Sequence, residues 1–163
     1  MATIDNIELD KNNIEFNYAT QFVKDTDKLV YLTGKAGTGK TTFLKSLKSN
    51  TSKNTVILAP TGVAAINADG QTINSFFHLP FGPFVVNDKR LRTSKELGDL
   101  DNTTIYSTFK YRDDKKIIIE QLELLIIDEI SMVRCDTLDV IDKILRVFRK
   151  KPFLPFGGVQ VIL

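Results

Sequence analysis

Nine residues constrain this chain more than any others: Gly34-Lys35-Ala36-Gly37-Thr38-Gly39-Lys40-Thr41-Thr42. They fit G-x-x-x-x-G-K-[ST] at every fixed position, a pattern that requires a strand leading in and a helix leading out. Both flanks comply. Leu29 to Thr33 is short and apolar, and Thr41 to Lys48 carries Phe43, Leu44 and Leu47 at helical spacing. The glycines let the backbone curl until successive N–H groups face one anion. The helix start adds partial positive charge, and Lys40 adds a full one. Thr41 offers a hydroxyl to a magnesium ion. Such a unit predicts a nucleoside triphosphate site, with Gly34, Ala36, Gly37, Thr38, Gly39, Lys40, Thr41 and Thr42 around the phosphates.

The rest of the pattern sets the fold class. Thr55–Ala59 reads as a second strand, stopped by Pro60. Leu124–Ile127 reads as a third and Val159–Leu163 as a fourth. Helical stretches fall around them. Ile14 to Lys24 carries Ile14, Tyr18, Phe22 and Val23 at helical spacing. Gly62 to Ala68 and Thr72 to Phe77 are short helices, the second with Thr72 as its cap. Ile117 to Glu123 follows. Asp136 to Lys150 is amphipathic, with Leu138, Ile141, Ile144, Leu145 and Phe148 on one face. Strands apolar on both faces, alternating with helices, predict an α/β P-loop NTPase domain: a mainly parallel sheet flanked by helices. Residues 1–11 read as a flexible tail, and 12–163 as the domain. Leu79 to Lys116 breaks the alternation and predicts an excursion away from the sheet. It begins Leu79-Pro80-Phe81-Gly82-Pro83-Phe84 and then turns charged. Val159–Leu163 reads as a strand in mid-course, so the sequence is expected to be a piece of a longer protein.

Composition narrows the function classes. A length of 163 residues suffices for one core. The net charge of +2 gives no global basic signal, so any nucleic-acid contact must be local. The single cysteine, Cys135, allows no internal disulfide and points to a reducing compartment. With the single histidine, His78, it leaves no ligand set for structural zinc. The N-terminus is unlike a signal peptide, and no apolar run approaches the roughly eighteen residues of a membrane span. A cytoplasmic protein with no membrane partner is the expectation. Cys135 reads as an inert buried residue and His78 as a loop residue.

Asp128 and Glu129 are the second chemical signal. The apolar run Leu124–Ile127 delivers them to the C-terminal end of a strand, where open α/β sheets bind ligands. Asp128 would hold magnesium with Thr41, directly or through water. Glu129 would orient and deprotonate the attacking water, so the pair favours hydrolysis over transfer to a bound acceptor. Ala59-Pro60-Thr61-Gly62-Val63-Ala64-Ala65 leaves the second strand on the same edge. Its small residues admit either close contact with a phosphodiester or simply a tight strand-to-helix turn. Gln71-Thr72-Ile73-Asn74-Ser75-Phe76-Phe77 sets polar donors beside two aromatics. The rings could stack on bases or lie in the core, and at least one is expected to be core.

Taken together these stretches resemble the Pif-one DNA helicases, in the RecD-like, 5′-to-3′ branch of superfamily one. GKAGTGKTT resembles that family's motif I, APTGVAA its motif Ia, QTINSFF the segment just after, and LLIIDEISMV its motif II. Phe156-Gly157-Gly158-Val159-Gln160-Val161-Ile162-Leu163 resembles the lead-in to motif III. The likeness runs from about residue 14 to the end. It implies the first of two RecA-like motor domains, using ATP and magnesium. Family members translocate along single-stranded DNA and unwind duplexes, forks and G-quadruplexes, with roles in repair, replication and recombination. Lys40 and Thr41 would then serve phosphates and magnesium, and Asp128 and Glu129 magnesium and water. Pro60, Thr61, Gly62, Ser75 and Phe77 would line the DNA path. Asn74 stands where the family usually has His and can still donate. For the adenine-reading glutamine, Asn17 and Gln21 both compete, and neither has the usual spacing. The second motor domain, with its arginine finger, is missing from this sequence. The fragment is therefore expected to bind nucleotide weakly and to unwind nothing.

Lys89, Arg90 and Arg92 could touch DNA or form a solvated run. Leu79–Phe84 reads as a packed loop before a strand-separating wedge, and Arg134 as a surface salt bridge before a contact to a neighbouring domain. Two other functions remain open: an AAA-type remodeller acting on protein, and a binding module with a vestigial nucleotide site. Motif Ia with QTINSFF argues against the first, and intact Lys40, Thr41, Asp128 and Glu129 argue against the second.

Overall fold

The computed structural model describes residues 13–85, 87–93 and 104–163. The expected tail, residues 1–11, lies outside them. Helix α1 (Ile14–Asp25) opens the described chain, its first turn capped by the Asn13 side chain, which accepts from the Phe16 N–H. Then follow α2 (Lys40–Asn50), β1 (Thr55–Ala59), α3 (Gly62–Asn67), β2 (Gln71–Thr72) and α4 (Ile73–Phe77). After the excursion come α5 (Ile105–Thr108), α6 (Asp113–Gln121), β3 (Leu124–Ile127), α7 (Cys135–Phe148) and β4 (Gln160–Ile162). The four strands form one sheet in the order β2-β1-β3-β4, all neighbours parallel. Strand alternation divides its side chains between two faces. Leu58, Leu125, Ile127 and Val161 meet α4, α6 and α7 on one face. Ile57, Leu124, Ile126 and Ile162 meet α2 and Val23 of α1 on the other.

The first expected core strand behaves differently. Leu29 to Thr33 is extended and bonds to β4 through Val30 N–H to Val161 O (2.9 Å), Leu163 N–H to Val30 O (2.9 Å) and Leu32 N–H to Leu163 O (2.7 Å). It lies at the sheet margin, with a single bridge, Val30 to Ile162. Val30 and Leu32 pack against the α2 side, whereas Leu29 and Tyr31 on the opposite face are 52% and 66% exposed. The helix over residues 14–24 is present, but Ile14, Tyr18 and Phe22 point outward and Val23 is its buried residue. Phe16 does the packing instead, stacked on Phe43 at 4.7 Å.

The helix expected at Ile117 begins earlier, at Asp113, where Asp113 and Asp114 put negative charge in the first turn. Cys135 is exposed, not buried: it opens α7 on the solvent side, beyond the run of apolar residues that starts at Val140. The end of the sheet away from the glycine loop is tied by one ammonium. Lys53 Nζ donates to the carbonyls of Val23 (2.9 Å) and Thr26 (2.8 Å) and to Gln160 Oε1 (2.8 Å). Gln160, 1% exposed, returns its amide to Lys28 O at 3.0 Å. Among the described residues no helix is long and apolar enough to cross a membrane.

Candidate nucleotide site and nucleic-acid edge

The loop between Thr33 and α2 turns through two left-handed glycines, Gly37 (φ 77°) and Gly39 (φ 83°), conformations that side chains resist. Gly39 is the N-cap of α2, so the helix begins on a residue without a side chain to block its first-turn amides. Lys40 curls over the loop and donates to the carbonyls of Gly34 (2.9 Å) and Lys35 (3.0 Å). The Thr38 hydroxyl also bonds inward, to Lys35 O at 2.9 Å.

Asp128 continues β3 and is 9% exposed. Its Oδ2 accepts from Thr41 Oγ1 at 3.0 Å, joining the start of α2 to the end of β3 across 87 residues. Its Oδ1 accepts from the Glu129 backbone N–H at 3.0 Å. Glu129 then turns into the left-handed region at φ 56°, which separates its side chain from that of its neighbour. The Thr41 and Asp128 oxygens are spaced like adjacent ligands of an octahedral ion with bonds of about 2.1 Å. Both are hard oxygen donors, so the pair fits magnesium.

Two cavities share these groups. The larger, about 530 Å³, is lined by Gly34, Ala36, Gly37, Gly39, Lys40, Thr41, Thr42, Asp128 and Glu129. Tyr31, Leu32, Thr33, Ile130 and Ser131 also line it, and sequence reasoning missed them. Their signal was adjacency: each flanks the glycine loop or the carboxylate pair. Thr38 is not on the lining, and neither are Asn17 and Gln21. Gln21 bonds Asp25 one turn along α1, and Asn17 is exposed on the same helix. The smaller cavity, about 310 Å³, lies on the other side of Thr41, Asp128 and Glu129 and reaches Thr61, Val63, Ala64, Asn67 and Met132. Thr61 caps α3, its Oγ1 accepting from Ala64 N–H at 3.2 Å. Pro60 is half-buried and Gly62 exposed at this turn.

Thr72 caps α4 as expected, accepting from Ser75 N–H at 3.2 Å. Asn74 and Ser75 are exposed. Phe77 is not: it is fully buried, set edge-on to Phe76 at 4.8 Å, so its ring is unavailable to a base. Both aromatics are core, because α4 is short and must bury one side entirely to hold its place. Arg90 and Arg92 are engaged within the excursion. Arg90 pairs with Asp88 and lies over Phe84 at 4.5 Å, and Arg92 donates to Asn87 O. Lys89 is exposed on the same turn. Arg134 forms the expected surface pair, with Asp136 at 2.8 Å. His78 ends α4 in a left-handed turn.

Known proteins share this fold. The chain is 36% identical over 141 residues to the ATP-dependent DNA helicase PIF6 of Trypanosoma brucei brucei, a match covering 85% of this chain and 16% of that protein. Bacteroides Pif1 bound to single-stranded DNA superposes with a TM-score of 0.75 at 43% identity, over 92% of this chain and 30% of that one. The complex of Bacteroides Pif1 with ADP-AlF4 gives 0.75 at 44% identity, over 91% and 30%. The chain thus spans less than a third of the length of these relatives. The PIF1-like helicase pattern is matched over residues 9–163, and the chain belongs to that family.

Proposed function

We propose that this chain is the first RecA-like motor domain, over residues 12–163, of a cytoplasmic ATP-dependent DNA helicase. The parent couples Mg-ATP hydrolysis to 5′-to-3′ movement on single-stranded DNA and duplex unwinding, in repair, replication and recombination. The observation that carries this reading is the 3.0 Å bond between Thr41 and Asp128, with Glu129 opening onto both cavities. It joins the phosphate loop to the hydrolytic carboxylates and leaves Thr61 next door. Bound magnesium would supply charge neutralisation at the phosphates, held by Thr41 and Asp128. Lys40 releases the loop carbonyls to meet the phosphates, the amides of Gly37 to Thr42 cradle them, and Glu129 takes the proton of the attacking water. Thr61, with Pro60 and Gly62, and Asn74 with Ser75 meet the DNA backbone along the same edge of the sheet. DNA bound to Thr61 thus sits one cavity away from Glu129, a short route for coupling.

The test is ATP hydrolysis by the full-length protein with and without single-stranded DNA, beside a Lys40→Ala control. Strong DNA stimulation that vanishes in the control is expected. Hydrolysis indifferent to DNA refutes the helicase reading.

A further inference from the structure

The stretch from Thr104 to Gln121 takes no part in the nucleotide site, and much of its charge is paired internally. Arg112 faces Asp114 at 3.6 Å, and Lys116 faces Asp113 at 2.9 Å. Two of its side chains nevertheless reach α4. Tyr111, only 4% exposed, donates its hydroxyl to the Phe77 carbonyl at 2.6 Å. Lys115 holds its ammonium 3.3 Å from the centre of the Phe76 ring. Tyr111 is itself fixed, edge-on to Phe148 of α7 at 4.9 Å and tilted against His78 at 5.6 Å.

A helix of five residues cannot hold its own geometry, because nucleation costs more than so few backbone bonds return. Thr72 fixes the start of α4. At its end His78 and Leu79 turn back, both N–H groups bonding to Asn74 O. The Phe77 carbonyl there is one that a helix terminus leaves without an intrahelical partner, and Tyr111 satisfies it. Lys115 grips the adjacent ring by a cation–π contact. With both aromatics held on the inner side, Asn74 and Ser75 remain on the outer one.

We propose that Tyr111 and Lys115 are positioning residues for single-stranded DNA engagement: they lock α4 so that Asn74 and Ser75 are presented to the strand. The charged excursion is thus a brace for the nucleic-acid edge. This inference rests on the reading of α4 as part of the DNA path.

The experiment uses DNA-stimulated ATP hydrolysis by the full-length protein, with Tyr111→Phe and Lys115→Met. The concentration of single-stranded DNA at half-maximal stimulation is expected to rise about three- to tenfold in each. The KM for ATP and the maximal rate should stay at their wild-type values. In Tyr111→Phe, amide exchange at His78 and Leu79 should quicken while that of β3 does not. An unchanged half-maximal DNA concentration overturns the proposal, as does a fall in maximal rate alone, which marks general packing. Asn74→Ala and Ser75→Ala separate the two levels. If they weaken DNA binding while Tyr111→Phe and Lys115→Met do not, the DNA path stands and the brace is refuted. If they leave DNA binding unchanged, the DNA path falls and the brace with it.

Discussion

Two adjacent carboxylates, Asp128 and Glu129, differ in surroundings because the backbone turns between them. Asp128 stays in line with the strand and has both oxygens committed, to Thr41 and to the Glu129 N–H. Glu129 sits at φ 56°, an uncommon conformation outside glycine, and it lines both cavities. A glutamine there keeps the shape and removes the carboxylate that we propose as the base. Glu129→Gln should lower the hydrolysis rate by about 10²–10⁴-fold, with nucleotide affinity unchanged in a fluorescent-nucleotide titration. A matching loss of affinity would show that Glu129 binds rather than activates. These residues were legible in the sequence because a fixed spacing ties Lys40 and Thr41 to one loop, and an apolar strand delivers the acids to its edge. Asn17 and Gln21 carry no such constraint: a polar residue on an exposed helix looks the same whichever way it faces. Phe77 fails for the converse reason, since an aromatic beside polar donors suits a stacking platform and a core equally well.

At the scale of elements, the loop Leu79–Phe84 shows how a segment without regular structure is held. Leu79 and Phe84 are buried, while Phe81 between them is 96% exposed. Asp136 at the start of α7 accepts the Phe84 N–H at 2.9 Å, and Arg90 covers the Phe84 ring. The charges are spent on this packing. Arg90, donating to both carboxylate oxygens, holds Asp88 down to about 2. Arg134, helped by the Phe84 N–H, holds Asp136 down to about 2. Both groups are ionised more readily folded than unfolded, so their contribution is complete above about pH 4 and is lost as pH falls toward 2. The acid limb of the stability curve, followed by urea unfolding between those values, should flatten in Asp88→Asn. An unaltered limb would show that the pair is screened away by solvent. Strands β1 and β3 were legible to the residue, because short apolar runs bounded by Pro60 and by Asp128 allow little else. Leu29–Thr33 is likewise mostly apolar but finds a partner on one side, which composition cannot reveal. The start of α6 was missed because its first turn, Asp113 to Lys116, is entirely charged and shows no periodicity.

At the scale of the whole molecule, the larger cavity is walled on one side by the phosphate loop and on the other by the carboxylate edge. In the proposed parent, a second motor domain brings an arginine to this cleft. The 163-residue chain alone is therefore expected to hydrolyse ATP about 10³–10⁵-fold more slowly than the full-length protein. The two can be assayed side by side, and equal rates would place the entire catalytic apparatus within these residues. The family was readable because five stretches resembling its motifs occur in one order. The brace at Tyr111 and Lys115 was not, since nothing in a local pattern joins residue 111 to the carbonyl of residue 77.

The pairing of Val30 and Leu32 with Val161 and Leu163 also has a consequence in time. The ribosome makes the lead-in strand of the glycine loop some 130 residues before its partner. At about 5–20 residues per second, roughly ten seconds separate them. Through that interval the strand leading into GKAGTGKTT has no backbone partner from β4. A nascent chain interrupted before residue 160 carries the whole motif but not the backbone partner of its lead-in strand. The lead-in strand of the glycine loop is thus written well before the strand that holds it in the sheet.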